Sequence, residues 1–332
     1  MSHPMHHGTV VVTGASGFLG SRLCATLRAA GWTVVGAARS AERIPAGVIA
    51  RPTDLRRRVD ELQTLVGGAS AVVHCAGAAH RRDPSWSDVD YHALNGHAAG
   101  RLAAAARSAG VPRFILISSS SVYGRATAEC RESQACKPAG VYGRSKLLGE
   151  RLAARVLAGS ETRLAILRSA TICGPGDPGN LQRLVDAIRS RRFLWVGDGG
   201  NRKSLVARSC VCRVVERVLN DAELPPTLTM NLASCSPTVH EIVSTIGRLC
   251  SAPASPLRVP AQPITAAFRA LSSLSGGRGP AGRGLAALQT WLAEDTIDNR
   301  RVTDRYGIAW PSLDAVLREQ LGLPACPKEA AA

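Results

Sequence analysis

The chain has 332 residues, 45% of them hydrophobic, enough for a large domain with a smaller one attached and ordinary for a soluble globular protein. No apolar run is long enough to cross a bilayer, which excludes a membrane-spanning helix. The net charge of +16 is nearly all arginine, scattered and in no known nucleic-acid motif, so it points to anionic small substrates or a compositional bias and not to nucleic acid.

His3, His6 and His7 open the chain without an apolar segment, so this stretch reads as a frayed terminus and not as a signal peptide. Val10, Val11 and Val12 form a β-branched run suited to a strand buried on both faces of a parallel sheet. A glycine turn follows, and from Phe18 to Ala30 apolar residues fall at helical spacing. Strand, glycine turn and helix aim free backbone N–H groups and the positive end of a helix dipole at a pyrophosphate. A Cβ at Gly14, Gly17 or Gly20 would strain the turn, obstruct the phosphate or push the helix off the strand. The stretch therefore predicts dinucleotide binding through Gly14, Ser16, Gly17, Phe18, Leu19 and Gly20.

The Gly-x-x-Gly-x-x-Gly spacing after Thr13 resembles the extended short-chain dehydrogenase/reductases, in their NAD-dependent epimerase/dehydratase family. That resemblance implies an α/β fold, a Rossmann-type doubly wound parallel sheet over 8–173 with a smaller C-terminal substrate-binding lobe over 174–325. A second strand near Trp32 to Ala37 ends in Arg39 and Ser40, without the carboxylate that would bind the ribose 2′-hydroxyl of NAD. An arginine there suits a 2′-phosphate, so NADP(H) is favoured; Glu42 nearby keeps NAD(H) open. A third strand around Val48 to Ala50 leads to Asp54 and Leu55, which the resemblance sets against the adenine. From its position alone, Asp54 reads as a helix cap. The fourth strand ends at His74, which shows no partner and reads as structural. The small-residue turn Cys75-Ala76-Gly77 comes next, and the resemblance places it against the cofactor. Asn95 begins a stretch similar to the family's helix that carries an asparagine beside the active site.

A fifth strand, Phe114 to Ile117, ends in four serines at the carboxyl end of a parallel strand, where open α/β sheets bind ligands. Tyr142-Gly143-Arg144-Ser145-Lys146 follows, and positions four apart share one helix face. A neighbouring cation favours the phenolate and would bring a tyrosine of ordinary pKa near about 10 into working range. In the family's order these residues imply a catalytic triad of Ser119, Tyr142 and Lys146, the last two also meeting the cofactor. Ser119 stands three before Val122 in the Ser-x-x-Val-Tyr-Gly pattern of nucleotide-sugar enzymes; Ser120 is the fallback and a substrate contact.

A sixth strand, Leu164 to Leu167, leads into a segment similar to the family's junction to the substrate lobe, with Thr171 at a substrate position and Cys173 where tyrosine is usual. Gly179-Asn180-Leu181 resembles the turn that holds a nucleotide-diphosphate sugar, and Asn180 also suits a helix cap. Phe193 to Val196 and Ser204 to Val206, around a glycine-rich turn, predict a hairpin. Arg202 and Lys203 stand at its return, near where relatives put a pyrophosphate-binding arginine. A late strand, Leu228 to Leu232, returns to the sheet, and Thr238 to Glu241 reads as a capping box. Ile264 to Leu274 predicts an amphipathic helix over the substrate cleft, and Tyr306 to Pro311 is similar to the family's closing segment.

Ten cysteines without a secretory signal fit a reducing, cytoplasmic setting, and their spacings suit no zinc site, so no metal is expected. The resemblance implies hydride transfer at C4 of a nucleotide-diphosphate sugar in surface-polysaccharide precursor synthesis, with 4-keto reduction favoured over 4-epimerisation. It also implies a homodimer.

Overall fold

Val10, Val11 and Val12 are buried in the central strand, as a β-branched run between two helical layers should be. The structure is a computed structural model that describes residues 7–79, 86–125, 128–252, 258–274 and 280–325. His3 and His6 lie outside the described residues. The strands are β1 (His7–Thr13), β2 (Trp32–Ala38), β3 (Ile49–Pro52), β4 (Ala71–His74), β5 (Arg113–Ser119) and β6 (Arg163–Ser169). Short strands β7 (Thr171–Cys173), β8 (Trp195–Val196) and β9 (Leu205–Ala207) precede β10 (Thr227–Leu232), and β11 (Arg258–Val259) comes last.

Seven of them form one parallel sheet in the order β10-β6-β5-β4-β1-β2-β3. The order reverses beside β1, which opens a crevice at the carboxyl ends of β1 and β4. Alternate residues serve opposite layers: Val10, Val12, Ile115 and Ile117 join one core, Val11, Phe114 and Leu116 the other.

Helices α1 (Phe18–Ala29) and α2 (Val59–Val66) follow β1 and β3. Helix α3 (Asp88–Tyr91) runs through a π-helical turn (His92–His97) into α4 (Ala98–Ser108), so Asn95 sits inside a longer helix and does not begin one. Helix α5 (Val141–Leu157) packs on this run, and a Cβ on Gly149 would stand 2.5 Å from the Asn95 carbonyl oxygen. Beyond the sheet come α6 (Asn180–Arg189), α7 (Arg208–Leu219), α8 (Val239–Leu249), α9 (Ala261–Leu274), α10 (Pro280–Leu292), α11 (Arg300–Tyr306) and α12 (Leu313–Leu321).

Two local expectations hold and three do not. Thr238 and Glu241 form the reciprocal capping box at the start of α8. Strand β10 joins β6 in parallel register. The hairpin expected over Phe193 to Val206 is absent: β8 pairs in parallel with β11, and β9 in parallel with β7. Long-range partners outcompete the local turn here, and Ser204 N–H goes to the Asp295 carbonyl. The cap of α6 is Gly179, not Asn180; the Asp177 carboxylate accepts from Gly179 and Gln182 N–H at 2.7 and 3.3 Å. Asp54 caps no helix either, since α2 begins at Val59.

One polar cluster crosses the core. Arg168 on β6 makes a forked bond to Glu150 on α5, the shortest contact 2.7 Å, with both side chains buried. Ser118 donates to the same carboxylate at 2.5 Å, and Arg168 also donates to the Tyr123 hydroxyl at 3.0 Å. Removing one partner of such a pair strands the other charge in a low dielectric. Glu150→Leu should cost about 3–5 kcal/mol of unfolding free energy, read by urea denaturation.

Candidate active site

The glycine turn after β1 is shaped by contacts that exclude side chains. Gly14 takes φ 71°, and a Cβ there would stand 2.8 Å from the Ala76 backbone in the turn after β4. The two turns thus close on each other at the crevice. Helix α1 starts there with Gly17 as its cap and no acidic residue in its first turn, leaving the positive end of its dipole uncompensated.

A cavity of about 240 Å³ opens at this point, lined by Gly14, Ser16, Gly17, Arg39, Asp54, Leu55, Ala76 and Gly77 among others. Gly20, Phe18 and Leu19 act differently. A Cβ on Gly20 would meet the Gly14 carbonyl oxygen at 2.1 Å, Leu19 is buried in the core, and the Phe18 ring lies under the Arg208 guanidinium at 4.6 Å. Their part is to build the turn. Cys75 is half-buried and does not line the cavity, and burial pushes its thiol up.

On the side of the cavity beyond β2 and β3, Asp54 pairs with Arg56 at 2.7 Å, and that bond, aided by Arg39 nearby, holds its carboxyl down at about 2. Arg39 is exposed on the cavity wall. Arg56, Trp86 and Asp90 line the same cavity and carry no motif that would have flagged them. A glycine cradle at a helix start, with an arginine at the end of β2, fits the pyrophosphate and ribose of a nicotinamide dinucleotide.

Two polar pins hold the floor. His74, expected to lack a partner, meets the Thr13 hydroxyl through Nδ1 at 2.7 Å. Burial keeps its pKa at about 3, so the ring is neutral at ordinary pH. Asn95 accepts from Ala78 N–H at 2.7 Å and donates to the Ala78 carbonyl and the Ser145 hydroxyl, both at 3.0 Å. It clamps the turn after β4 to α5.

Tyr142 lies in the first turn of α5, close enough to Ser119 at the end of β5 for that hydroxyl to act on its phenol. Ser119 also accepts from Ser121 N–H at 3.2 Å. Lys146, one turn along α5, is buried and donates to the Ile117 carbonyl at 2.5 Å. The three expected residues are together at the sheet's carboxyl edge. The expected tuning of the phenol is not met: burial pushes Tyr142 up, and Ser119 lowers it only in part. The ammonium is turned to β5 instead, and desolvation brings it down to about 8, with Glu150 opposing.

The expected substrate contacts divide. Thr171 and Asn180 are exposed, Ser120 is buried next to Ser119, and Leu181 belongs to the core. Arg202 donates through Nε to the Ser236 carbonyl at 2.8 Å. Lys203 donates to the carbonyls of Thr290 and Ala293 at 2.7 and 2.6 Å, so it caps the end of α10 and is not a free phosphate ligand.

Residues 10–233 match the model of the NAD dependent epimerase/dehydratase family. The chain belongs to that family. Among its relatives, a 4-hydroxy-2-methyl-3-oxo-4-farnesyl-3,4-dihydroquinoline-1-oxide ketoreductase of Stigmatella aurantiaca is 30% identical over 65% of this chain and 64% of that protein. A UDP-glucose 4-epimerase of Vibrio cholerae is 28% identical over 60% of this chain and 62% of its own length. The matches to curated relatives thus span about three fifths of their length. The solved structure of MoeE5 in complex with UDP-glucuronic acid and NAD is similar over 95% of this chain and 97% of that one, at 28% identity and a TM-score of 0.73. The sheet and flanking helices described above are this epimerase/dehydratase fold. Among the described residues, no helix is long and apolar enough to cross a membrane.

Lys146 gives a pH test. Its folded pKa of about 8 lies below the ordinary 10.5, so between the two values the unfolded chain binds more protons. Its penalty is full below pH 8 and lifts as pH climbs towards 10.5. The stability of the wild type relative to Lys146→Met should therefore rise by roughly 2 kcal/mol between about pH 7 and about pH 10, measured by urea unfolding of the cofactor-free protein.

Proposed function

We propose that the protein is an NADP(H)-dependent oxidoreductase that reduces a 4-keto sugar carried on a nucleoside diphosphate. The observation that carries this reading is the gathering of Tyr142 and Lys146, one turn apart on α5, with Ser119 at the carboxyl end of β5, the edge of the sheet on which the glycine-lined crevice also opens. Family membership and the structural likeness to MoeE5, solved with a UDP-sugar and NAD, support the substrate class. Arg39 and the missing carboxylate at the end of β2 favour the 2′-phosphate of NADP(H).

A bound nicotinamide supplies the hydride. The chain supplies everything else. Ser119 holds the C4 oxygen by its hydroxyl, and the neutral phenol of Tyr142, kept protonated by burial, is a proton donor to that oxygen as it gains charge. Lys146, one helical turn from Tyr142 with its ammonium at the Ile117 carbonyl, supplies the cation for the phenolate left behind by turning from that carbonyl, until water returns the proton. The raised phenol suits the reductive direction, in which the tyrosine must begin with its proton.

A second reading, 4-epimerisation, is favoured by the UDP-glucose 4-epimerase among the relatives. It requires a cofactor retained through each turnover. Purified protein incubated with a UDP-4-keto sugar and NADPH should consume NADPH absorbance, and Tyr142→Phe should slow this by about 100-fold or more. A nicotinamide retained stoichiometrically after purification, with interconversion of C4 epimers and no net NADPH use, establishes the epimerase instead. Arg39→Ala should raise the KM for NADPH about tenfold and leave that for NADH unchanged, in line with the loss of one charge-assisted phosphate contact.

A further inference from the structure

Among the described residues, Trp86 is the one aromatic side chain that lines the glycine cavity. It stands just before α3, where local bonds fix it. The Asp90 carboxylate accepts from the Ser87 N–H at 2.8 Å and from the Ser87 hydroxyl at 2.7 Å, and that hydroxyl accepts from the Asp90 N–H at 3.4 Å, which makes a reciprocal capping box. Trp86 precedes the cap and Tyr91 lies four residues past it; their rings meet edge-on with centroids 5.6 Å apart. This is a hydrophobic staple, and it sets the angle at which the indole enters the helix. Asp88 accepts from Arg144 at 3.2 Å, so α3 is also tied to the helix that carries Tyr142 and Lys146.

The cavity occupies one half of the crevice. Its lining runs over the ends of β1, β2 and β3, whereas Ser119 ends β5 on the other side of β1, and none of Ser119, Tyr142 and Lys146 lines it. A dinucleotide held at its pyrophosphate by the Gly14–Gly17 turn, with its nicotinamide towards Tyr142, lays its adenosine over β2 and β3. Leu55, from the turn after β3, lines that half together with Trp86. Arg101 of α4 donates to the Leu55 carbonyl at 3.2 Å, which closes the helical run begun by α3 onto that turn. An aliphatic side chain from one layer and an indole from another thus bound the same space. A purine is flat, with apolar faces, and stacks on such a ring whatever its sugar carries.

We infer that Trp86 is the stacking platform for the adenine of the cofactor. The inference rests on the nicotinamide-dinucleotide reading above, but not on the choice between NADP(H) and NAD(H), because the base is common to both. A tryptophan that served only as a staple for α3 would be replaceable by any apolar side chain of similar reach, whereas a stacking platform needs a flat ring.

The test is titration of ADP-ribose and of its 2′-phosphate into the cofactor-free full-length protein, by calorimetry and by tryptophan emission, for wild type, Trp86→Leu and Trp86→Phe. Leucine keeps an apolar contact for Tyr91 and removes the ring; phenylalanine keeps both. Trp86→Leu should weaken the two ligands by the same factor, about tenfold, and Trp86→Phe by about threefold or less. Wild-type emission should fall as either ligand binds, and Trp86→Phe should lose that quenching while still binding. A folded Trp86→Leu protein that binds both ligands like the wild type, a loss confined to one of them, or quenching undiminished in Trp86→Phe overturns the assignment and leaves the dinucleotide reading standing. Should Trp86→Leu not fold, the quenching in Trp86→Phe decides. If neither ligand binds the wild type, the dinucleotide reading falls and the role of Trp86 falls with it.

Discussion

The site depends on one buried ion pair. Glu150 sits two helical turns beyond Tyr142 and one beyond Lys146, and its carboxylate is gripped by Arg168 from β6 and Ser118 from β5. These contacts fix both the rotation of α5 about its axis and its height over the sheet. Because Ser118 adjoins Ser119, the same carboxylate ties the strand end that presents one half of the hydroxyl pair to the helix that presents the other. A buried charge pair is a poor source of net stability, but it specifies geometry where apolar packing tolerates sliding. Here a slide of one residue would separate phenol from serine.

Desolvation then decides the chemistry. It keeps Tyr142 protonated, strips charge affinity from Lys146 and holds His74 neutral, all within the floor of one crevice. Asp54 shows the opposite case: half-exposed and bonded to Arg56, it stays ionised. One end of the crevice therefore holds buried groups with shifted proton affinities, the other an exposed and fixed ion pair. A dinucleotide is built the same way, with a flat reactive ring at one end and phosphates and ribose towards the other.

Much of the sheet was legible because its determinants are local. The valine run of β1, the glycines after it and the apolar spacing of α1 specify their structure within about a dozen residues. The capping box at Thr238 is equally self-contained. The hairpin failed for the converse reason: the edges of β8 and β9 are taken by strands remote in sequence, which no periodicity announces. Lys203 shows the same limit at the level of a side chain. Its sequence position suited a phosphate ligand, yet its ammonium is held by the end of a helix some ninety residues away. The Tyr142 phenol shifts upward, against the expectation, because helical spacing tells which residues are neighbours but not which way a flexible ammonium turns.

The seventh strand has a consequence for how the protein can be divided. β10 comes after β7, β8, β9 and the helices between them, yet it covers the outer edge of β6 along six residue pairs. A fragment ending near Cys173 would leave that edge, with Leu164, Ile166 and Leu167, open to strand pairing with other copies. Such flat, apolar margins recruit neighbours into aggregates. The outer edge of β6 is therefore covered only once the chain through β10 has been made.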